Sequence, residues 1–289
     1  MQQTSTSHSN GLPDCFGATR GVLIVGHGTA DTVGAEETHV VARRVASLLP
    51  GVPVELGFLE VIGPSIAEAL ERLAASGCRE VVAAPLLLFN AGHARKDVPE
   101  AILKGARLAG LIVRQADPLA CHEQIVALAK QRRREALECL ASVPAEATVL
   151  VMVGRGSSDP DAYRQLEEFT AATLSTPVGN EMVVSQFGHI ELGFVAAARP
   201  TLAQAIAAAA ARRHSHHGGP VLRIVVQPHL LFRGHVQDTV AESVVHGRQH
   251  FPSIEWIEVG RLGPDDLVAR ALLDRASCVV WPSALEPRA

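Results

Sequence analysis

Short unbroken apolar runs ending in glycine or proline alternate along this chain with longer stretches whose apolar residues recur every three to four positions. Gly21 to Gly26, GVLIVG, is the first such run, and unbroken apolarity over so short a length marks a parallel strand buried on both faces. From Gly34 to Leu49 the residues Val40, Val41, Val45 and Leu48 keep helical spacing until Pro50-Gly51. Val54 to Phe58 reads as the second strand, and Pro64 opens a helix with Ile66, Ala69, Leu70 and Leu73 on one face. Glu80 to Leu88 gives a third strand, Val98 to Ala109 a third helix and Ile112 to Gln115 a fourth strand. A helical pattern through Ile125, Leu128 and Leu137 then runs to about Leu140, with Arg132 to Arg134 as a solvated face. This order is that of βαβ units.

The second half replays the first. Val149 to Val153 leads to Gly154-Arg155-Gly156 where the first half has Gly26-His27-Gly28, and Glu191 to Phe194 repeats Glu55 to Phe58 letter for letter. Pro200 answers Pro64, Thr201 to Arg212 is the matching helix, and Leu222 to Val226 and Ile254 to Val259 are the remaining strands. The run from Ala83 to Pro99, with Gly92-His93, returns from Val226 to Val240 with Gly234-His235; in each, an Asp then opens a helical pattern. The pattern predicts an α/β fold of two tandem similar domains, each a four-stranded parallel sheet flanked by helices and doubly wound. It divides the chain into a disordered tail (1–19), a first domain (20–143) and a second (144–289), with the boundary at Pro144.

Composition narrows the classes. The 289 residues are 47% hydrophobic and only 4% aromatic, so both domains can bury aliphatic cores. A net charge of −4 leaves no global basic field for nucleic acid or an anionic membrane, and no apolar run approaches a membrane span. Five widely spaced cysteines without a C-x-x-C pair fit reduced thiols in the cytoplasm.

The candidate chemistry lies where strands end, the edge at which open parallel sheets bind ligands. His27, Glu60 and His93 follow three successive strands and are separated by 33 residues each time. Two imidazoles and a carboxylate suit a divalent first-row metal and leave coordination positions open. Each has an ordinary structural explanation taken singly, as a turn cap, a surface acid or a backbone-bonded ring; their joint placement favours a site. The second half keeps His235 but has Arg155 for His27 and Ala196 for Glu60, so its metal site is degenerate and reassigned to anion binding. Arg95, Lys96 and Arg233 lie beside the two Gly-His pairs as further anion-binding candidates. For His189 and His229 core or rim packing stands at least level with ligation, and the His-rich loop His214 to Gly219 reads first as a disordered polar loop, with weak metal holding or delivery as its alternative. No dinucleotide fingerprint, P-loop or nucleophile elbow is present.

With these residues laid out, the chain resembles the sirohydrochlorin cobaltochelatase/ferrochelatase family, the class II tetrapyrrole chelatases, in its two-domain fused form. The carriers are the G-H-G turn at His27, Gly57 to Glu60 with Pro64-Ser65, the run from Pro85 to Pro99, and Asp117-Pro118-Leu119 with His122. The resemblance implies that His27 and His93 hold the metal or serve as bases, with Glu60 assisting. It implies insertion of Co²⁺ or Fe²⁺ into sirohydrochlorin for cobalamin or siroheme synthesis, no organic cofactor, and a tetrapyrrole between the two domains. A monomer suffices, since one chain supplies both. A non-catalytic metal-binding or metal-delivery protein using the same histidines and the His214 to Gly219 loop is the alternative, and a hydrolase of anionic small molecules a third reading.

Overall fold

The computed structural model describes residues 19–89, 95–178, 181–184, 187–213 and 218–281. Residues 1–18 of the expected tail, His93 and residues 214–217 of the His-rich loop lie outside the described residues. The first repeat comprises β1 (Arg20–Gly26), α1 (Thr32–Leu48), β2 (Val54–Phe58), α2 (Ile66–Ala75), β3 (Glu80–Pro85), α3 (Asp97–Ala109), β4 (Ile112–Gln115) and α4 (Glu123–Leu137). After a 3-10 turn at Ala145–Ala147 come β5 (Thr148–Gly154), α5 (Asp161–Leu174), β6 (Ser175–Val178), β7 (Glu181–Val184) and β8 (His189–Phe194). The chain continues through α6 (Leu202–Ala211), β9 (Arg223–Pro228), α7 (His235–His250), β10 (Glu255–Glu258) and α8 (Asp266–Ser277).

Two parallel sheets result, ordered β2-β1-β3-β4 and β8-β5-β9-β10, so the second repeats the strand order of the first. The central strands β1 and β5 are buried almost throughout, as their unbroken apolar runs require. Helix starts are written locally: Ser65 with Glu68 forms a capping box on α2, and Thr201 with Gln204 forms its counterpart on α6.

Alternation along the strands sends neighbouring side chains to different cores. Leu23, Val25, Val81 and Ala83 pack outward against α2 and α3, and Val149, Val151 and Val153 pack outward in the second repeat. Val22, Ile24, Val82 and Ala84 join Leu150, Met152 and Val225 in one inner core that runs through both repeats. The last helices are exchanged within it. Helix α4 packs on α5 and β10 of the second repeat, whereas α8 packs on β3 and α1 of the first.

Three sequence expectations are corrected. The Arg132 to Arg134 run is not a uniformly solvated face, because α4 turns it toward the other repeat. Arg133 is buried, and its guanidinium donates to Thr173 O at 2.7 Å and Gln227 Oε1 at 3.0 Å. Gln227 Nε2 in turn donates to Ala129 O at 2.8 Å, so the polar cluster is closed on itself, and burial pushes the Arg133 pKa down to about 10. Strand β3 stops at Pro85 rather than Leu88: Leu86 N–H makes the last bond to Val25 O, and the chain then leaves the sheet. Helix α7 starts at His235, three residues before the Asp expected to open it. The pattern also assigned nothing over 161–184, where α5 and the β6–β7 hairpin are found, or over α8.

Arg133→Ala would leave Thr173 O and Gln227 Oε1 buried without their donor, and is expected to cost about 2–4 kcal/mol. A urea midpoint lowered at constant slope checks this; Arg134→Ala, at an exposed position, is the control and should shift stability by less than about 0.5 kcal/mol.

Candidate active site

The carboxyl ends of both sheets open on one cleft of about 620 Å³. Its walls are apolar: Leu86 to Phe89 from the first repeat and Leu230 to Phe232 from the second. Polar groups sit at its edges, among them His27, Arg155, Ser157, Ser158 and Arg233.

His27 leaves β1 directly beside the end of β2. Leu59 N–H bonds Gly26 O at 2.9 Å and Glu60 N–H bonds His27 O at 3.1 Å, which puts the two side chains at one level. The turns touch at the backbone: a Cβ on Gly28, whose φ is 99°, would lie 1.9 Å from Glu60 O. Only glycine fits there. His27 Nδ1 is 3.2 Å from Gly28 O, and since a carbonyl only accepts, Nδ1 carries the proton in that bond. The lone pair of the neutral ring is then on Nε2, which stands 3.4 Å from Glu60 Oε1. An imidazole lone pair facing a carboxylate is reconciled by a proton on the ring or by a cation between them.

The second repeat builds the same backbone with other side chains. Gly156 has φ 90°, and a Cβ there would lie 1.7 Å from Ala196 O. Val195 N–H bonds Gly154 O at 3.1 Å and Ala196 N–H bonds Arg155 O at 2.9 Å. A guanidinium at the cleft and a methyl thus replace the imidazole and carboxylate.

Of the other candidates, His93 lies outside the described residues. Arg95 is exposed and its guanidinium donates to Asp161 at 2.9 Å and Asp159 at 3.5 Å, both in the second repeat. Lys96 is exposed at the N-cap of α3 and makes no side-chain cap bond. Arg233 lines the cleft, 3.6 Å from Asp31 and 3.7 Å from Asp238. His235 is exposed on the first turn of α7 and is not among the cleft-lining residues. Among the described residues no three His, Cys, Asp or Glu side chains form a metal-sized group. His27 and Glu60 bring two such side chains together.

Sequence reasoning did not single out Ser157, Ser158 or Asp97 as cleft residues. The match of Gly154-Arg155-Gly156-Ser157-Ser158 to Gly26-His27-Gly28-Thr29-Ala30 carried the signal for the two serines.

Comparison with known proteins places this geometry. The CbiX family profile matches residues 21–136 and again 149–278, once per repeat. The chain belongs to the CbiX family. A sirohydrochlorin cobaltochelatase of Priestia megaterium is 27% identical over 261 residues, covering 89% of this chain and 79% of that protein. A sirohydrochlorin ferrochelatase of the same organism is 31% identical over 226 residues, covering 77% of each. SirB from Bacillus subtilis, solved with Fe³⁺, has a TM-score of 0.72 at 26% identity, over 89% of this chain and 94% of that one. In this CbiX chain the two family matches coincide with two scaffolds of one backbone design. They differ in the side chains presented to the cleft.

One cleft residue stands out energetically. His229 follows β9 as Leu86 follows β3, its N–H bonding Val153 O at 2.7 Å where Leu86 N–H bonds Val25 O at 2.9 Å. Its ring stacks on Phe169 at 3.8 Å and meets Phe89 edge-on at 5.1 Å. It is buried, among the described residues Nδ1 has no hydrogen-bond partner, and burial pushes its pKa from 6.5 to about 3. The depressed value means that the folded protein holds the neutral ring. Its contribution is intact above pH 6.5 and is lost progressively as pH falls from there toward 3. His229→Leu, which installs the residue of the other repeat, is expected to raise stability at pH 7 by about 1 kcal/mol or more. It should also flatten the acid loss below pH 6.5, read from thermal midpoints measured across the pH range.

Proposed function

We propose that this chain inserts Co²⁺ or Fe²⁺ into sirohydrochlorin, supplying cobalamin or siroheme synthesis. The metal is a substrate, and no organic cofactor takes part. The observation that carries the reading is the His27–Glu60 pair at the edge of a cleft whose walls are apolar, from Leu86 to Phe89 and Leu230 to Phe232. A flat tetrapyrrole needs such walls; a metal carrier does not, and the size of the cleft favours the chelatase over the delivery protein.

Metallation replaces water on the ion with macrocycle nitrogens and removes two pyrrole N–H protons. In the reading offered here His27 Nε2 and His93 receive the ion, and Glu60 takes protons as they leave. Glu60 is exposed, so a proton accepted there passes to solvent. The walls hold the macrocycle against this edge. Arg155 and Arg233, with Arg95, Lys96 and His235 further out, are the donors for its carboxylates. Helix starts beside the Gly28 and Gly156 turns add backbone N–H groups. One chain supplies both walls, so the active unit is a monomer. It works in the cytoplasm, and among the described residues no helix is long and apolar enough to cross a membrane.

The test is the anaerobic absorbance change of sirohydrochlorin with Co²⁺ or Fe²⁺. The wild-type chain is expected to accelerate metallation, and His27→Ala and Glu60→Gln to lower kcat by about 100-fold and about 10-fold or more. The rate should fall as pH is lowered, because protons displace the metal from imidazole. Metal binding with insertion left at the uncatalysed rate would overturn the chelatase reading in favour of metal delivery.

A further inference from the structure

The turn that carries His27 and the turn that carries Arg155 end alike, in Thr29-Ala30-Asp31 and Ser157-Ser158-Asp159. In each, the hydroxyl accepts the Asp N–H at 3.1 Å. One oxygen of each Asp serves the helix that follows: Asp31 Oδ1 accepts Gly34 N–H at 2.8 Å, and Asp159 Oδ1 accepts Asp161 N–H at 2.9 Å. The other oxygen faces an arginine of the opposite repeat. Asp31 Oδ2 is 3.6 Å from Arg233 Nε, and Asp159 Oδ2 is 3.5 Å from Arg95 Nη1.

Duplication alone does not produce this reciprocity. Arg95 stands two residues after His93, whereas Arg233 stands two before His235, so the same cross-cleft pairing is made from two different loop positions. Arg233 is also fixed from the first repeat: its N–H bonds Glu37 Oε2 at 2.8 Å, and a Cβ on Gly34 would lie 2.2 Å from its carbonyl oxygen. Both guanidiniums remain nearly half exposed, at 45% and 46%. Their contacts to Asp31 and Asp159 are longer than the 2.7–2.9 Å usual for charge-assisted bonds, and only the Arg95 contact to Asp161, at 2.9 Å, is short. Exposed pairs of this length hold weakly and exchange readily.

We infer that Arg95 and Arg233 are a matched pair of carboxylate receptors flanking the cleft, Arg95 held by Asp159 and Asp161 and Arg233 by Asp31 and Asp238, and handed over to carboxylates of the bound macrocycle. The inference rests on the tetrapyrrole reading and adds a selection rule. A ligand must carry carboxylates that reach both arginines to displace their aspartates, so a flat apolar macrocycle without them leaves both arginines paired.

The experiment is equilibrium binding of metal-free sirohydrochlorin, followed by absorbance, to the full chain and four variants. Asp31→Asn combined with Asp238→Asn, and Asp159→Asn combined with Asp161→Asn, keep the side-chain oxygens that serve the helix starts and remove the charges that hold each arginine; Arg95→Ala and Arg233→Ala remove the receptors. The arginine variants are expected to bind about tenfold more weakly. The asparagine variants should bind several-fold more tightly, with thermal midpoints close to wild type showing the caps intact. Weaker or unchanged binding by both asparagine variants, with the arginine variants impaired, would overturn the hand-over and leave the arginines as ordinary receptors. Unchanged binding by both arginine variants would overturn the receptor assignment itself. Failure of the wild-type chain to bind sirohydrochlorin would instead remove the functional reading beneath both.

Discussion

The exchange of the two last helices is the constraint on which the rest of the molecule depends. Helix α4 covers the sheet of the second repeat and α8 that of the first, so neither inner sheet face is buried without the other half of the chain. Burial of that shared core fixes how the two sheets meet, and with it the position of their carboxyl edges. The cleft is the space those edges leave. Its walls are the residues just past the strand ends, Leu86 to Phe89 and Leu230 to Phe232, released from the sheets where β3 and β9 stop at proline. A buried guanidinium, Arg133, is tolerated at this junction because it donates to Thr173 O and Gln227 Oε1, and Gln227 is itself bonded back to α4 at Ala129 O.

Duplication then supplies two equivalent edges with one backbone design. The turns at Gly28 and Gly156 approach the carbonyls of Glu60 and Ala196 so closely that a side chain is excluded in both. What differs is the pair of side chains mounted on that backbone: imidazole and carboxylate in the first repeat, guanidinium and methyl in the second. A metal and a polyanionic macrocycle make opposite electrostatic demands, and in the function proposed the first edge serves the metal and the second the macrocycle. The division of labour is chemical, while the scaffold is common.

Much of this was legible in the sequence. The unbroken apolar runs at Gly21 to Gly26 and Val149 to Val153 read as buried parallel strands, and the repeated ELGF letters aligned the halves. The motif spacing brought His27 to Glu60, which the structure places 3.4 Å apart. What was not legible depends on how the halves pack. Nothing local marks Arg133 as buried, since its surroundings come from α5 and β9. The pairing of Arg95 with Asp159 and Asp161 is likewise made between the two repeats, by residues some sixty positions apart. His229 looked like an ordinary packing residue, and its cost is visible only once Phe89 and Phe169 enclose it.

The central claim is that the cation-binding edge exists in one repeat only. Titration of the full chain with Co²⁺ in the absence of tetrapyrrole, followed by calorimetry and the visible spectrum of the ion, tests it most directly. The account predicts a single tight ion per chain, lost in His27→Ala and retained in Arg155→Ala. A tight ion that survives His27→Ala, or a second ion that vanishes with Arg155→Ala, would contradict it.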